Sequence, residues 1–375
     1  MRIAVISRVF SRAGGGAESY SVALVQQLAG RHDIHVFAQE SNQPVPGVHY
    51  HRVLCLSRKP RWINQLVFAL ATWWRTRTGF DVVHSHENTW HGQIQTVHVR
   101  PTRYNLFHGR AGLRLALRWL KVLLSPRLIT YVCLEGARFT RQPGRSVVAT
   151  SDTLSDECNQ AYPLAELSVI TPGTDMPSQP MSSLQARAQL QLPPHGRCLL
   201  FVANDYARKG LDTLLQAMAQ LPESIHLAVV GNPRLIPRYQ ALAHQAGVAQ
   251  RVHFLGRLDD TSVAYQAADC LVHPTLEDSF AMVVLEALAH GLPVVVSGPL
   301  YCGISRQLEH MRQAWLLEDP RDAAALSHAV REILDQPQLG ESLCREGQTF
   351  ARAHSWERTA LQYERLYEQA AGLER

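Results

Sequence analysis

The sequence lacks any Cys-x-x-Cys pair, and its seven cysteines are scattered over 375 residues. This excludes a zinc ribbon, and the odd number argues against a disulfide framework, so we expect reduced thiols in a reducing compartment. No stretch of about 18 uninterrupted apolar residues is present that could span a membrane. The apolar run after Met1 is too short for a signal peptide and predicts a first buried strand. We therefore expect a cytoplasmic protein that is soluble or peripheral.

Apolar material is plentiful: hydrophobic residues make up 46% of the chain and charged residues 18%, which excludes disorder as the dominant state. Short β-branched runs alternate with longer amphipathic stretches, in two successive series. This alternation predicts an α/β protein with two parallel sheets that carry helices on both faces. The predicted strands are Ile3–Ile6, Ile34–Ala38, Val82–His84, Ile94–His98, Tyr131–Leu134, Val147–Ala149, Val169–Ile170, Cys198–Val202, Leu227–Val230, Val252–Phe254, Cys270–His273 and Val294–Val296.

Prolines cluster between the two series of strands, within residues 171–195. The sequence therefore predicts an N-terminal domain over residues 1–178 and a C-terminal domain over 190–353. Residues 354–375 predict a capped terminal helix, which either closes the second domain or crosses back to the first.

Positive charge is concentrated in residues 100–145, which hold ten Lys or Arg residues and one acid, Glu135. The surplus of nine exceeds the net charge of +5 of the whole chain. A cationic face of this kind implies an anionic partner, although charge by itself favours a solvated face. The stretch contains no nucleic-acid-binding module and no stacking array, so we expect no nucleic acid as partner.

The segment that begins at His273 carries the most chemical information. A strand is predicted to end there, and Asp278 or Ser279 to cap the helix that follows. The N–H groups at such a helix start form an anion site at the carboxyl end of a parallel sheet. These groups belong to Phe280, Ala281, Met282 and Val283. Asp278 and Glu286 would lie about 12 Å apart along the helix, which matches the span of a sugar nucleotide.

This segment resembles the E-x7-E region of the retaining, GT-B-fold glycosyltransferases of family 4. The first Glu of that motif is Asp278 here, and the usual Gly after Phe280 is Ala281. Glu277, next to Asp278, is an alternative for the first carboxylate. The resemblance implies two Rossmann-like domains facing a cleft, with Asp278 orienting the donor sugar and Glu286 the ribose.

Further segments extend the resemblance over nearly the whole chain. Arg208 and Lys209 lie between a strand and a helix, as do the family's donor-diphosphate cations, in an arrangement similar to the lipopolysaccharide-core glucosyltransferases. Two other segments, one ending at Gly231 and one containing Arg257 and Leu258, resemble the family's loops that receive the nucleotide base and ribose. The glycine loop with Gly15 and Gly16 resembles a loop over the donor phosphates, although glycines also favour close approach to any phosphate.

Three histidines end two predicted strands, in Asp81-Val-Val-His84-Ser-His86 and Thr96-Val-His98. His98 matches the family position that reaches the donor sugar, and we predict that role for it. A structural role is the simpler interpretation of His84, and both interpretations stay open for His86. No carboxylate or cysteine accompanies them at metal-ligand spacing, so we expect no metal and no cofactor.

The resemblance implies transfer of a hexose from a nucleotide-diphosphate sugar, with a UDP-sugar expected, to a lipid-linked or lipopolysaccharide glycan with retention of configuration. No paired carboxylates flank an anomeric centre, so we expect no double displacement. The resemblance implies front-face substitution, in which the leaving phosphate helps to deprotonate the acceptor. One alternative is a nucleotide-sugar epimerase of the same fold. Another is a non-enzymatic anion-binding protein, which the basic stretch would suit.

Residues 112–124 predict an amphipathic helix with Arg114, Arg118 and Lys121 on one side and a stripe of leucines on the other. The leucines by themselves favour the core face of a helix. Packing in a core would not require the basic side of this helix, whereas docking on anionic lipid would use it. We therefore predict that Arg100–Arg145 docks on an anionic membrane surface, at the cytoplasmic face of the inner membrane.

Overall fold

The computed structural model describes residues 1–11, 16–42, 44–56 and 59–372. The chain divides into two compact units, a first unit of residues 1–172 with 356–375 and a second unit of residues 173–355. The division falls at Pro172, six residues before the predicted limit at 178. The terminal segment from Trp356 onward is grouped with the first unit.

The first unit is built on a seven-stranded parallel sheet in the order β5-β3-β1-β6-β7-β8-β9, with β2 and β4 paired separately. Its strands are β1 Arg2–Ile6, β2 Val9–Phe10, β3 Asp33–Ala38, β4 Glu40–Ser41, β5 Val48–Arg52, β6 Val82–Ser85, β7 Ile94–Val97, β8 Ser146–Ala149 and β9 Leu167–Val169. Its first six helices are α1 Gly16–Leu28, α2 Arg61–Thr76, α3 Thr102–Phe107, α4 Gly112–Leu123, α5 Pro126–Phe139 and α6 Asp152–Ala161.

The second unit contains a six-stranded parallel sheet in the order β12-β11-β10-β13-β14-β15. Its strands are β10 Arg197–Ala203, β11 Ile225–Gly231, β12 Val252–Gly256, β13 Cys270–His273, β14 Val294–Ser297 and β15 Trp315–Leu317. Its helices are α7 Ser183–Gln189, α8 Leu211–Met218, α9 Ile236–Gln245, α10 Ser262–Ala267, α11 Met282–Ala289, α12 Ala323–Asp335 and α13 Pro337–Ala353, and the chain ends in α14 Trp356–Ala370 of the first unit.

The predicted α/β class with two parallel sheets is confirmed by the strand pairing. The central strands are apolar and buried along their length. Ile3–Ile6 and Leu199–Phe201, in the middle of the two sheets, are almost fully removed from solvent. Strands covered on both faces by helices have this continuous apolar pattern. Their carboxyl ends lie at one edge of each sheet, which is where open α/β sheets bind ligands.

The predicted strand Tyr131–Leu134 is wrong, since these residues lie inside α5. Ser125 accepts a hydrogen bond from the N–H of Leu128, and Pro126 occupies the first turn, so a helix begins here. Leu134 and Arg138, four residues apart, are both buried, as on one face of a helix. Four short strands, β2, β4, β5 and β15, were not predicted.

The predicted helix over residues 112–124 is confirmed as α4, but its leucines do not form a core face. Val122 is buried, whereas Leu113 is 76% exposed. The other exposed apolar residues here are Leu117, Trp119, Leu120, Leu123 and Leu124. Among the described residues, no helix combines the length and apolarity needed to cross a membrane.

Candidate functional site

Two loops meet at the carboxyl edge of the second sheet, because the strands before them, β10 and β13, are neighbours. The N–H of Leu276 donates to the carbonyl of Arg208 at 2.9 Å. Gly210 has a positive φ of 82°, and a Cβ there would lie 1.9 Å from the carbonyl oxygen of Pro274. Only glycine fits such an approach, so the two loops are held against each other by backbone contacts.

Asp278 lies at the centre of a hydrogen-bond network in this loop pair. Its Oδ2 accepts from Lys209 Nζ at 2.5 Å and from His273 Nε2 at 3.2 Å. Its Oδ1 accepts from the N–H groups of Ala281 and Phe280 at 2.9 and 3.3 Å. All four directions in which a carboxylate accepts hydrogen bonds are thereby used.

Burial acts to raise the pKa of Asp278, but the hydrogen bond from His273 and the charge of Lys209 outweigh it and hold the pKa well below its usual value. Burial lowers the pKa of His273, so its imidazole is neutral and donates through Nε2. The network therefore contains one carboxylate and one ammonium, in charge balance.

Lys209 is the cation that this network orients. Besides Asp278, its Nζ donates to the carbonyl of Glu277 at 2.9 Å. A lysine ammonium has three N–H donors, and these two bonds fix the direction of the third. Arg208, by contrast, is half exposed and lies 3.7 Å from Asp205.

The helix after this loop begins later than predicted. α11 starts at Met282 with Ala281 as its N-cap residue, in the left-handed conformation with φ of 71° and ψ of 70°. The prediction that Asp278 or Ser279 is the N-cap is wrong. Asp278 instead folds back onto the N–H groups of Phe280 and Ala281, as short polar side chains do in turns.

This local turn changes the predicted anion site. The N–H groups of Phe280 and Ala281 are already bonded to Asp278, so they are not the expected open donors. The N–H of Val284 donates to the carbonyl of Ala281. The N–H groups of Met282 and Val283 come before it, in the first turn of α11. The expected separation of about 12 Å assumed one continuous helix from Asp278 to Glu286, whereas the helix begins only at Met282.

Glu286 lies on α11 and is held by a neighbouring helix. The hydroxyl of Tyr265, on α10, donates to Glu286 Oε2 at 2.6 Å. Burial and the Glu286 carboxylate raise the pKa of Tyr265 well above its usual value, so the phenol stays protonated and donates. Neither Tyr265 nor His273 was assigned a role from the sequence, because each acts through a partner that the fold supplies.

The remaining predicted residues of the second unit follow neighbouring strands at the same edge. Gly231 ends β11, and a Cβ there would lie 1.7 Å from the carbonyl oxygen of Ala203 at the end of β10. Exposed Arg257 and half-buried Leu258 follow β12. The order β12-β11-β10-β13 thus aligns the predicted residues along one edge of one sheet.

In the first unit, His86 and His98 directly follow β6 and β7. His86 Nδ1 is 2.9 Å from His98 Nε2, and the rings are stacked. Burial lowers the pKa of His86 to about 3 and that of His98 well below its usual value, so both are neutral at physiological pH. His84 bonds to Tyr367 and Thr96, which agrees with a structural role.

The predicted glycine loop is only partly described. Gly16 is the first residue of α1, at the carboxyl edge of the first sheet. Gly15 lies outside the described residues.

Comparisons with known proteins match both halves of the chain. Residues 14–176 match the family described as Glycosyltransferase Family 4, and residues 183–350 match Glycosyl transferases group 1. The chain is 36% identical over 146 residues to the lipopolysaccharide glucosyltransferase WaaG of Escherichia coli K12, an alignment that covers 38% of each chain. It is 31% identical over 248 residues to a D-inositol 3-phosphate glycosyltransferase of Corynebacterium aurimucosum, covering 63% of this chain and 56% of that one.

Solved structures share the fold over the full length. The crystal structure of WaaG superposes with a TM-score of 0.82 at 21% identity, covering 99% of this chain and 100% of that chain. Anabaena Alr3699/HepE in complex with UDP-glucose superposes with a TM-score of 0.77 at 16% identity, covering 97% and 98%. With both of its halves matched and its fold shared throughout, the protein belongs to the GT-B-fold glycosyltransferases of family 4, with a group 1 glycosyl transferase region as its second half.

Proposed function

We propose that the protein transfers a hexose from a nucleotide-diphosphate sugar, a UDP-sugar, to a hydroxyl of a lipid-linked or lipopolysaccharide glycan with retention of configuration. The observation that carries the proposal is the Lys209–Asp278 pair at the carboxyl edge of the second sheet, followed by Glu286 on the next helix. The similarity to WaaG and to a structure that contains UDP-glucose supports the donor and acceptor classes.

In this proposal Lys209 stabilises the charge that develops on the departing diphosphate. Its third N–H bonds a phosphate oxygen, and the N–H groups of Met282 and Val283 at the start of α11 add further donors. Arg208, which is exposed and adjacent to Lys209 in the same loop, contributes a second cation. These groups supply positive charge without a metal ion, so we propose that catalysis needs neither metal nor cofactor.

The carboxylates have different roles. Asp278 acts through Lys209 as a positioning residue, since its oxygens are engaged by protein donors. Glu286 accepts hydrogen bonds from the ribose diol, and its bond from Tyr265 fixes the orientation of the carboxylate. Gly231, Arg257 and Leu258 line the path of the base and ribose, and neutral His98 donates to or accepts from a sugar hydroxyl.

The departing phosphate itself helps to remove the proton of the acceptor hydroxyl, and the new glycosidic bond forms on the face that the phosphate leaves. The protein contributes position and electrostatic stabilisation rather than a covalent intermediate. This front-face substitution gives retention.

The test is acceptor-dependent release of nucleotide. The protein is first screened against a panel of nucleotide sugars for thermal stabilisation, and the stabilising sugar is then incubated with and without a lipopolysaccharide-derived acceptor. Release of the nucleoside diphosphate only with acceptor, and an α-linked product from an α-linked donor, are expected. Interconversion of sugar epimers without acceptor would support an epimerase and contradict transfer.

The proposed location at the inner membrane rests on α4. The exposed leucines at 113, 117, 120, 123 and 124 leave an apolar surface next to Arg114, Arg118 and Lys121, and Trp119 on the same helix is exposed as well. Each basic residue near anionic lipid contributes about 1 kcal/mol. Apolar residues at an acyl boundary with cations beside them are what an interfacial helix requires.

The wider basic stretch contributes less than its charge suggests. Arg138 is buried, Arg100 pairs with Glu157, and Arg141 pairs with Glu166 at 2.6 Å. We therefore assign the main membrane-facing charge to Arg114, Arg118 and Lys121 of α4.

Flotation with liposomes tests this location. The protein should float with anionic vesicles at low salt, and much less with neutral vesicles or at high salt. Leu113→Ser with Leu117→Ser should abolish flotation, whereas Leu184→Ser, at an exposed leucine of α7, should not. Equal recovery with neutral and anionic vesicles would contradict the proposal.

A further inference from the structure

A second group of polar side chains lies at the opposite end of the first sheet from His86 and His98. Asp33 is the first residue of β3, and His35 follows two positions later on the same face. In the parallel pairing of β3 with β5, His35 lies directly opposite His49. The register thus brings Asp33, His35 and His49 together at the amino ends of the two strands.

The distances within this group suit a metal ion. Asp33 Oδ1 is 3.1 Å from His35 Nε2 and 3.6 Å from His49 Nε2. Zinc binds such ligands at about 2.0–2.2 Å, and a tetrahedral site then separates neighbouring ligand atoms by about 3.3–3.6 Å. Within the described part of the chain, one ligand atom from each of the three residues lies within 4.8 Å of the others.

We propose that Asp33, His35 and His49 bind a divalent transition-metal ion of the zinc class, with water as the fourth ligand. Two imidazoles and one carboxylate form a donor set that this class of metal prefers over magnesium or calcium. Asp33 is about half exposed and His49 is 64% exposed, so an ion can reach the group from solvent.

The ring of His35 is already oriented for this role. Its Nδ1 lies 2.8 Å from Nε2 of His51, on the neighbouring strand, and the two rings are stacked. A metal-binding histidine normally bonds through its other nitrogen to a partner that fixes the ring and the tautomer. His51 fills that position, and its own ring is stacked on Phe37.

Arg2 is the cation now at the group. Its Nε is 3.2 Å from His35 Nε2 and 3.5 Å from Asp33 Oδ2. The side chain is half exposed, so it can turn towards solvent when a divalent ion replaces it. Arg2 therefore competes with the metal, and its removal should tighten metal binding.

The position of the site indicates its effect. β5 is the edge strand of the sheet, and His49 lies on it, whereas Asp33 and His35 lie on its inner neighbour. A bound ion would join the edge strand to the sheet. Because the amino ends of the strands are remote from their carboxyl edge, the ion would stabilise the fold and take no part in transfer.

The experiment titrates zinc chloride into the full-length, metal-free protein by calorimetry, and repeats the titration with cobalt to record its absorption spectrum. One equivalent should bind, the cobalt spectrum should be that of a tetrahedral site, and Tm should rise with zinc. His49→Gln should weaken binding by about 10-fold or more and remove the Tm rise, and Arg2→Gln should tighten binding.

Two controls make the result specific. His195→Gln removes an exposed histidine elsewhere, and Cys55→Ser removes an exposed thiol near β5, so neither should change zinc affinity. Equal zinc affinity of the wild type and His49→Gln would overturn the proposal. So would loss of binding in Cys55→Ser, or no saturable binding in the wild type.

Discussion

The ammonium of Lys209 and the carboxylate of Asp278 form a charge-assisted hydrogen bond of 2.5 Å, with 14% and 18% of the two side chains exposed. The two residues come from loops after adjacent strands, so the bond depends on the strand order β10-β13. It fixes the direction of the one cation that the network orients. The chemistry that we propose depends on this pair.

Replacement of Lys209 by Gln should reduce the rate of transfer by about 10²–10³, because a preorganised cation at a developing negative charge is lost. The reduction should appear mainly in kcat. Steady-state kinetics with saturating donor measure it, and circular dichroism confirms folding. Arg331→Gln, at an exposed residue of α12, is the matched control and should keep the wild-type rate.

The pH dependence of stability should follow Asp278. Its pKa in the folded protein lies below the ordinary value of 3.8, so the unfolded state binds more protons in acid. The stability that the carboxylate contributes is therefore complete at neutral pH, and it decreases as pH falls below 3.8.

Asp278→Asn isolates this contribution. At pH 7 the variant should lose about 3 kcal/mol of unfolding free energy, since it leaves a largely buried Lys209 without its counter-ion. Urea unfolding of both proteins should show that the difference shrinks in acid. A difference that stays constant from pH 7 down to pH 3 would contradict the assignment.

Ala281→Gly should raise the free energy of unfolding by up to about 1 kcal/mol. Ala281 has a φ of 71°, which a Cβ disfavours, and glycine adopts this conformation without that penalty. The reverse change at Gly210 should lose more than about 2 kcal/mol, because its Cβ would meet the carbonyl of Pro274. Denaturant unfolding of Ala281→Gly and Gly210→Ala measures the change in the free energy of unfolding for each variant. A lower free energy of unfolding in Ala281→Gly than in the wild type would contradict the prediction.

Transfer should continue after treatment with EDTA, because in the proposed mechanism Lys209 and Arg208 provide the positive charge at the diphosphate. Chelation would also remove any ion from the metal site that we propose at Asp33, so activity is compared in the wild type and His49→Gln. Both should retain activity in EDTA. Activity that is lost in EDTA and restored by a divalent ion in both proteins would show that catalysis uses a metal.

The sequence was sufficient for the architecture because parallel strands buried on both faces have an unmistakable apolar pattern. The strand prediction was wrong at Tyr131–Leu134, because β-branched and apolar residues occur in helices as well as in strands. Here they belong to a helix that begins after Ser125, with Pro126 in its first turn. The leucines of α4 by themselves favoured a core face, which the structure does not show. Amphipathic periodicity reveals that a helix has an apolar face, but it does not reveal what packs against that face.

The site was predicted as a set of residues, but not as a network. The family resemblance suggested Lys209, Asp278 and Glu286 as donor-site residues, whereas His273 and Tyr265 were found only through contacts between separate elements. The start of α11 was misplaced because Asp278 satisfies its own loop instead of capping the helix. The group at Asp33 depends on the register of β5, a strand that the sequence did not reveal.

Binding of UDP tests the central claim most directly, because it reports on the proposed donor site without requiring the acceptor. Calorimetry compares the wild type with Lys209→Gln, Glu286→Gln and Glu223→Gln, the last being an exposed carboxylate before β11, away from the carboxyl edge. Lys209→Gln and Glu286→Gln should each weaken UDP binding by about 10-fold or more, as expected for loss of a charge-assisted hydrogen bond, and Glu223→Gln should leave it unchanged. Wild-type affinity in both Lys209→Gln and Glu286→Gln would contradict the assignment of the donor site to this edge of the second sheet.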